Sequence, residues 1–246
     1  MGLGYDESIL SAIAKQGAGN EHFAENADSA AGLIAQECGE LLSQAFLSCR
    51  LKVKLATGAR KVTLRNEFSH RRVGDELQID LGGFQAEQMR ALVLQFRPKP
   101  TQRAGRRKLA TLEFEYVQAS DLSEHTITHN VWAEVADSGS VETDIQVDWN
   151  VMTEVAIQRA QARKRQAMER LMIGDVERAI RRLRGAIEIL TDVGPHMAAD
   201  KRQEVIAEIT ALRELCDEVR VDRNRSSKMM SASLASMSRG RGRRGA

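Results

Sequence analysis

Three cysteines in 246 residues, Cys38, Cys49 and Cys216, are an odd count with no paired spacing. That excludes a disulfide framework and fits a reducing compartment in which thiols stay free and packed. No apolar run approaches the about 18 residues needed to cross a bilayer, and the N-terminus lacks a basic stretch followed by an apolar one. The chain therefore reads as cytoplasmic, with no membrane partner. Neither sign of charge dominates: 36 Lys and Arg face 34 Asp and Glu, a formal +2 that by itself selects no class of partner. Also missing are a Gly-rich phosphate loop ending in Lys-Ser or Lys-Thr, a dinucleotide fingerprint, and a Gly-X-Ser-X-Gly elbow. These absences remove the commonest enzyme classes and leave a globular protein whose 42% hydrophobic content can bury a core.

The pattern that is present changes twice along the chain. Residues 6–45 read as two helices: Asp6 is an N-cap for a helix with Ile9, Leu10 and Ile13 on one face and Gly17 as its stop. A second helix starts near Asn26 or Asp28 and carries Ala30, Ile34, Cys38, Leu41 and Ala45 at helical spacing. From Phe46 the period falls to two, with Leu47, Cys49, Leu51, Val53 and Leu55 alternating with polar or small residues. Six more strand candidates follow, "KVTLRN", "ELQIDL", "MRALVLQF", "LATLEFEYV", "HTITHNVWAEV" and "ETDIQVDW", separated by turn-forming stretches. Short strands in series without intervening helices predict an antiparallel sandwich over 46–150.

After Val151 the helical period returns. Met152, Ala156, Ala160, Ala167 and Leu171 form one stripe, broken by Gly174 and Asp175. Val176, Ile180, Leu183, Ile187 and Leu190 form the next, which Gly194 and Pro195 end, and Val205, Ile209, Leu212, Cys216 and Val219 form a third. Three amphipathic helices with short connections predict a packed helical module over 151–223. The remaining residues, 224–246, are rich in Ser, Arg and Gly with no sustained apolar period, and predict a disordered tail. That tail holds six basic residues and no acid, leaving 30 basic against 34 acidic residues before it, a net −4.

The first 45 residues, "GLGYDESILSAIAKQGAGNEHFAENADSAAGLIAQECGELLSQA", resemble the C-terminal end of a von Willebrand factor A (VWA) domain. Members of that family close their sheet with a strand ending in Gly-X-Gly, followed by Asp, a helix with a Leu-X-X-Ile-Ala run, a Gly-rich turn with a short aromatic strand, and a final helix. Gly2 to Gly4, Asp6, "ILSAIA", "GAGNEHF" and the helix from about Asp28 to Ala45 match those elements. Bacterial members often continue into a β-sandwich and a helical segment, and the order of elements over 46–223 is similar. The resemblance implies that Met1 falls inside the last strand of the domain, so that 1–45 is a remnant. The Asp-X-Ser-X-Ser metal motif of the family would precede it, leaving no intact metal-ion-dependent adhesion site and no cofactor.

Local candidates for chemistry have plainer readings. "DSGS", Asp137 to Ser140, has the wrong spacing for that motif and reads as a turn. His125 and His129 lie four apart on a strand, about 13 Å at 3.3 Å per residue, too far to share a metal. His22, His70 and His196 have no neighbouring ligands at metal spacing, and "LGGF" at 81–84 reads as a turn between strands. The expected class is thus α+β: an all-β antiparallel sandwich between an N-terminal helical remnant of an α/β VWA domain and a C-terminal three-helix module. The expected function is a non-enzymatic protein-interaction or scaffold role with protein partners. The alternative is nucleic-acid association through Arg239, Arg241, Arg243 and Arg244, which would be weak and nonspecific because no aromatic is interleaved for base stacking.

Overall fold

The structure, a computed structural model, describes residues 7–16, 24, 27–101, 103–136, 147–221 and 223–238. Two helices open it, α1 (Glu7–Gln16) and α2 (Ala27–Leu42). The Gly-X-Gly of Gly2 to Gly4 lies outside the described residues, as does all of "GAGNEHF". The described residues divide into two compact units, a β unit built on residues 37–136 and a helical unit built on 147–238 together with 7–14 and 27–36.

In the β unit, β1 (Gln44–Leu55) lies at the centre of a five-stranded antiparallel sheet. Its neighbours are β4 (Glu76–Gln85) and β6 (Gly105–Gln118), with β3 (His70–Val73) and β7 (Glu124–Val135) on the edges, giving the order β3-β4-β1-β6-β7. A second antiparallel sheet pairs β2 (Ala59–Leu64) with β5 (Leu94–Pro98). Alternation decides what faces inward. Leu51 and Val53 of β1, Leu77 and Ile79 of β4 and Ala110 of β6 share one apolar core with Val62 and Leu64 of β2 and Phe96 of β5. Buried Asn66 ties the loops of this core together, donating to the Ala91 carbonyl at 2.9 Å and accepting from the Val93 amide at 2.7 Å. Both of its amide functions are thereby satisfied, as burial demands.

Two expectations about strands are corrected. "LGGF" at 81–84 is not a turn but the end of β4, where Gly82 adopts φ 72° beside an irregularity in the pairing with β1. Glycine reaches that left-handed conformation without a Cβ penalty, so here it marks a bulge rather than a reversal. "ETDIQVDW" does not run as a strand through its end: residues 142–146 lie outside the described residues, Asp148 is an N-cap and Trp149 starts a helix. The reverse error is β3, "HRRV", which is wholly exposed and so lacks the alternation that would announce a strand. Its backbone pairing with β4 makes it one.

The helical unit holds α3 (Trp149–Met172), α4 (Val176–Val193), α5 (Ala199–Val221) and α6 (Arg223–Ser238). Asp148 Oδ1 accepts from the amides of Asn150 and Val151 at 2.9 and 3.3 Å, satisfying donors that the first turn of α3 leaves open. Gly174 takes φ 81° in the turn between α3 and α4, and Asp175 then caps α4 by accepting from the Arg178 amide at 3.1 Å. Ala156, Ala160 and Ala167 of α3 and Ala179 and Ala186 of α4 are all buried. Small side chains on both helices let the two backbones come close, and Leu171, Leu183, Leu190 and Leu212 fill the rest of the core.

The expected tail is corrected over most of its length: 223–238 forms α6, a fourth helix with Met230 wholly buried and Ser226, Ser227, Lys228 and Ser231 buried beside it. A polarity count treats serine as a surface residue. In a helix the same short side chain permits close packing, and its hydroxyl can be satisfied by a hydrogen bond. Arg239, Arg241, Arg243 and Arg244 lie outside the described residues.

Candidate interaction surfaces

Among the described residues, no three or more His, Cys, Asp or Glu are grouped to hold a metal ion. The histidines have local partners instead. His70 Nδ1 lies 2.9 Å from the Phe68 carbonyl oxygen, and His196 stacks on Trp149 with ring centroids 3.8 Å apart. His125 and His129 both sit on exposed β7. His22 and the stretch Asp137 to Ser140 lie outside the described residues. Cys38 is exposed on α2, Cys49 is buried in the β core, and Cys216 is half-buried on α5.

One constellation escaped the sequence reading although its spacing, Asp-Leu-Ser-Glu-His, is visible. Ser123 donates to Asp121 Oδ1 from its amide at 3.0 Å and its hydroxyl at 2.6 Å, and Ser123 Oγ lies 2.8 Å from His125 Nε2. The hydrogen bonds from Ser123 hold the Asp121 carboxyl below the usual carboxylate range. This order does not activate a nucleophile, which needs the imidazole to accept the serine proton with the carboxylate behind the imidazole. Here the hydroxyl proton is committed to Asp121, so the three residues act as a turn that closes the β6–β7 hairpin.

The outer face of the large sheet is a matched ladder of charge. Arg50 meets Asp80 at 2.9 Å and Lys54 meets Glu113 at 2.7 Å, while Lys52 pairs with Glu115 between them. The hydrogen bond that Lys54 donates to the Glu113 carboxylate raises the ammonium above its ordinary range. On the inner face, the end of the sheet carries half-buried aromatics in edge-to-face order. Phe46 meets Tyr116 at 5.1 Å and Phe84 meets Phe114 at 6.2 Å, and Tyr116 stacks on His125 at 5.2 Å. The Arg90 guanidinium covers Phe84, 4.0 Å from the ring centroid, while donating to the carbonyls of Leu81 and Gly83. Such aromatic pairs contribute beyond their buried area and stiffen this end of the sheet.

The two N-terminal helices differ from the rest in leaving their apolar stripes in solvent. Leu10 and Ile13 are exposed on α1. On α2, Ile34 is 62% exposed, Leu41 64% and Leu42 89%, with Cys38 in the same stripe at the i+4 position from Ile34. Large apolar side chains scattered singly on a surface are ordinary, but a stripe at helical period is the form of a packing face. No described helix is long and apolar enough to cross a membrane.

No family model and no curated protein matches the sequence. Solved structures do match the fold. A von Willebrand factor type A protein from Catenulispora acidiphila superposes with a TM-score of 0.61 at 14% identity, over 83% of this chain and 49% of that one. The ArnB paralog VWA2 from Sulfolobus acidocaldarius superposes with a TM-score of 0.54 at 15% identity, over 95% of this chain and 53% of that one. This chain, with its mostly antiparallel sheets and its helices, therefore has a VWA-like fold and spans about half the length of the structures it resembles.

Proposed function

We propose that the chain is a non-enzymatic protein-interaction or scaffold module of the VWA type that works without an intact metal-ion-dependent adhesion site. The observation that carries this reading is the exposed apolar stripe of α2, Ile34, Cys38, Leu41 and Leu42; on α1, Leu10 and Ile13 are exposed as well. Burying such side chains is favourable by about 25 cal/mol per Å2 of apolar surface, so a partner that covers the stripe gains free energy from contacts the described chain leaves unmade. The fold likeness supports the same reading, since both matched structures are von Willebrand factor type A proteins or paralogs. No residue in it needs to perform bond chemistry.

Cys38 makes the proposal testable. A photo-activated cross-linker attached to its exposed thiol samples whatever lies against the stripe. The expected result is one discrete adduct in the native host that disappears when Ile34 and Leu41 are both changed to Glu. An adduct that persists unchanged in the Ile34→Glu/Leu41→Glu protein, or no adduct at all, would count against the reading.

A further inference from the structure

The small sheet carries a second surface with a different chemistry. Lys61 of β2 lies directly opposite Arg97 of β5 in the antiparallel register, and both are exposed. Like charges in that position repel and destabilise the pair of strands. Arg65, the residue just past the end of β2 and four beyond Lys61, adds a third cation to the same face and donates to Gln95 of β5. Arg60 and Lys99 extend the exposed cations at the end where β2 begins and β5 finishes.

Local sequence explains why nothing neutralises them. Residues 51–66 contain five basic side chains and no acid, and residues 88–112 contain seven and no acid. None of Arg60, Lys61, Arg65, Arg97 or Lys99 has a carboxylate within ion-pair distance among the described residues. The contrast with the outer face of the large sheet is direct, because Arg50, Lys52 and Lys54 there are all matched by carboxylates on the adjacent strands. The unmatched face is thus a feature of the β2–β5 sheet and not of the overall composition, which is nearly balanced.

We infer that the outer face of β2–β5 is a docking surface for an acidic segment of a partner protein. Its size suits such a segment: Lys61 to Arg65 spans about 13 Å at 3.3 Å per residue, the reach of four or five extended residues. Its chemistry favours carboxylates over nucleic acid. The aromatic side chain of this sheet, Phe96, packs into the core, so the face offers no platform for stacking bases. The segment lies across the face and does not add as a further strand. Pro98 closes β5 without an N–H to donate, and the Arg72 guanidinium occupies the Val62 carbonyl of β2 at 2.9 Å. Guanidinium groups at Arg60, Arg65 and Arg97 can each take a carboxylate in two-pronged fashion.

This inference deepens the interaction reading by giving it a partner class, but it rests on a different face, so the Cys38 cross-link and the test below fail independently. The test uses the full chain and a fluorescent oligo-glutamate peptide of eight residues, with a 20-base-pair DNA duplex as the competing polyanion. The peptide is expected to bind at low salt and to lose affinity as ionic strength rises. The Lys61→Ala/Arg97→Ala protein should bind about tenfold more weakly, and Arg181→Ala on α4 should bind as the native chain does. In parallel, Lys61→Thr should melt no lower than the native chain, because it removes a like-charge pair. Equal peptide binding by the double variant, no binding at low salt, or duplex that binds while the peptide fails to displace it would overturn the inference.

Discussion

The ammonium of Lys164, on α3, lies 3.0 Å from Glu208 Oε1, on α5, with the lysine side chain only 1% exposed and the glutamate 12%. Lys164 also donates to Ser233 Oγ of α6 at 2.7 Å, so one buried cation joins three helices. Gln161 adds a long hydrogen bond of 3.4 Å to the same carboxylate. A buried charge is tolerated only while it is paired, and removing one partner costs about 3–5 kcal/mol because the other is left without compensation. Glu208→Ala should therefore destabilise the helical unit by about 3 kcal/mol, while Lys164→Met/Glu208→Leu should recover most of that loss. Urea denaturation of the three proteins checks the order. If the double variant is less stable than Glu208→Ala, the pair is not the source of the penalty.

The sequence made α3, α4 and α5 legible because their apolar residues recur at helical spacing and their ends carry Gly174, Asp175, Gly194 and Pro195. It made β1, β4, β6 and β7 legible through alternation. It hid α6, whose buried face is built from serines, one lysine and Met230, residues that a hydropathy pattern assigns to solvent. It also hid β3, which has no buried side chain and is marked as a strand by its backbone pairing with β4. The basic face of β2–β5 was invisible for a further reason. Lys61 and Arg97 are 36 residues apart in sequence, and only the register brings them together.

Helix α6 gives a direct test of the fold. Met230 is wholly buried in the helical core, so Met230→Ala should cost about 2–4 kcal/mol through lost transfer energy and the cavity left behind. Truncation after residue 222 should lower the melting temperature and expose apolar surface to a hydrophobic dye. A disordered segment would leave both readouts unchanged.

Gly58 sits in the turn before β2, and a Cβ at this position would overlap the Lys108 carbonyl oxygen and lie 3.3 Å from its carbon. The obstacle is backbone, so it cannot swing aside as a side chain could. Gly58→Ala should therefore destabilise the β unit by about 1–3 kcal/mol, the range for overpacking. Thermal melting followed by circular dichroism will show the loss, and an unchanged midpoint would mean that the turn relaxes freely.

Burial in the β core pushes the Cys49 thiol up to about 11 from an ordinary value near 9.0. Burial also raises Cys216, whereas Cys38 stands exposed on α2. At pH 8, iodoacetamide should modify Cys38 first and Cys49 last, read by mass spectrometry of digested peptides. The pH dependence of stability follows in sign. The folded state holds the Cys49 proton more tightly than the unfolded chain does, so this contribution is complete below pH 9 and falls away as pH rises towards about 11. Cys49→Val should flatten that part of the stability profile, and an identical alkaline profile for both proteins would contradict it.

The central claim is that this chain acts through surfaces and not through a bound cation. Calorimetric titration of magnesium and manganese chloride into the purified chain tests it most directly. The account predicts heats no larger than those of dilution for both salts. Saturable uptake of either ion at one equivalent per chain would contradict it.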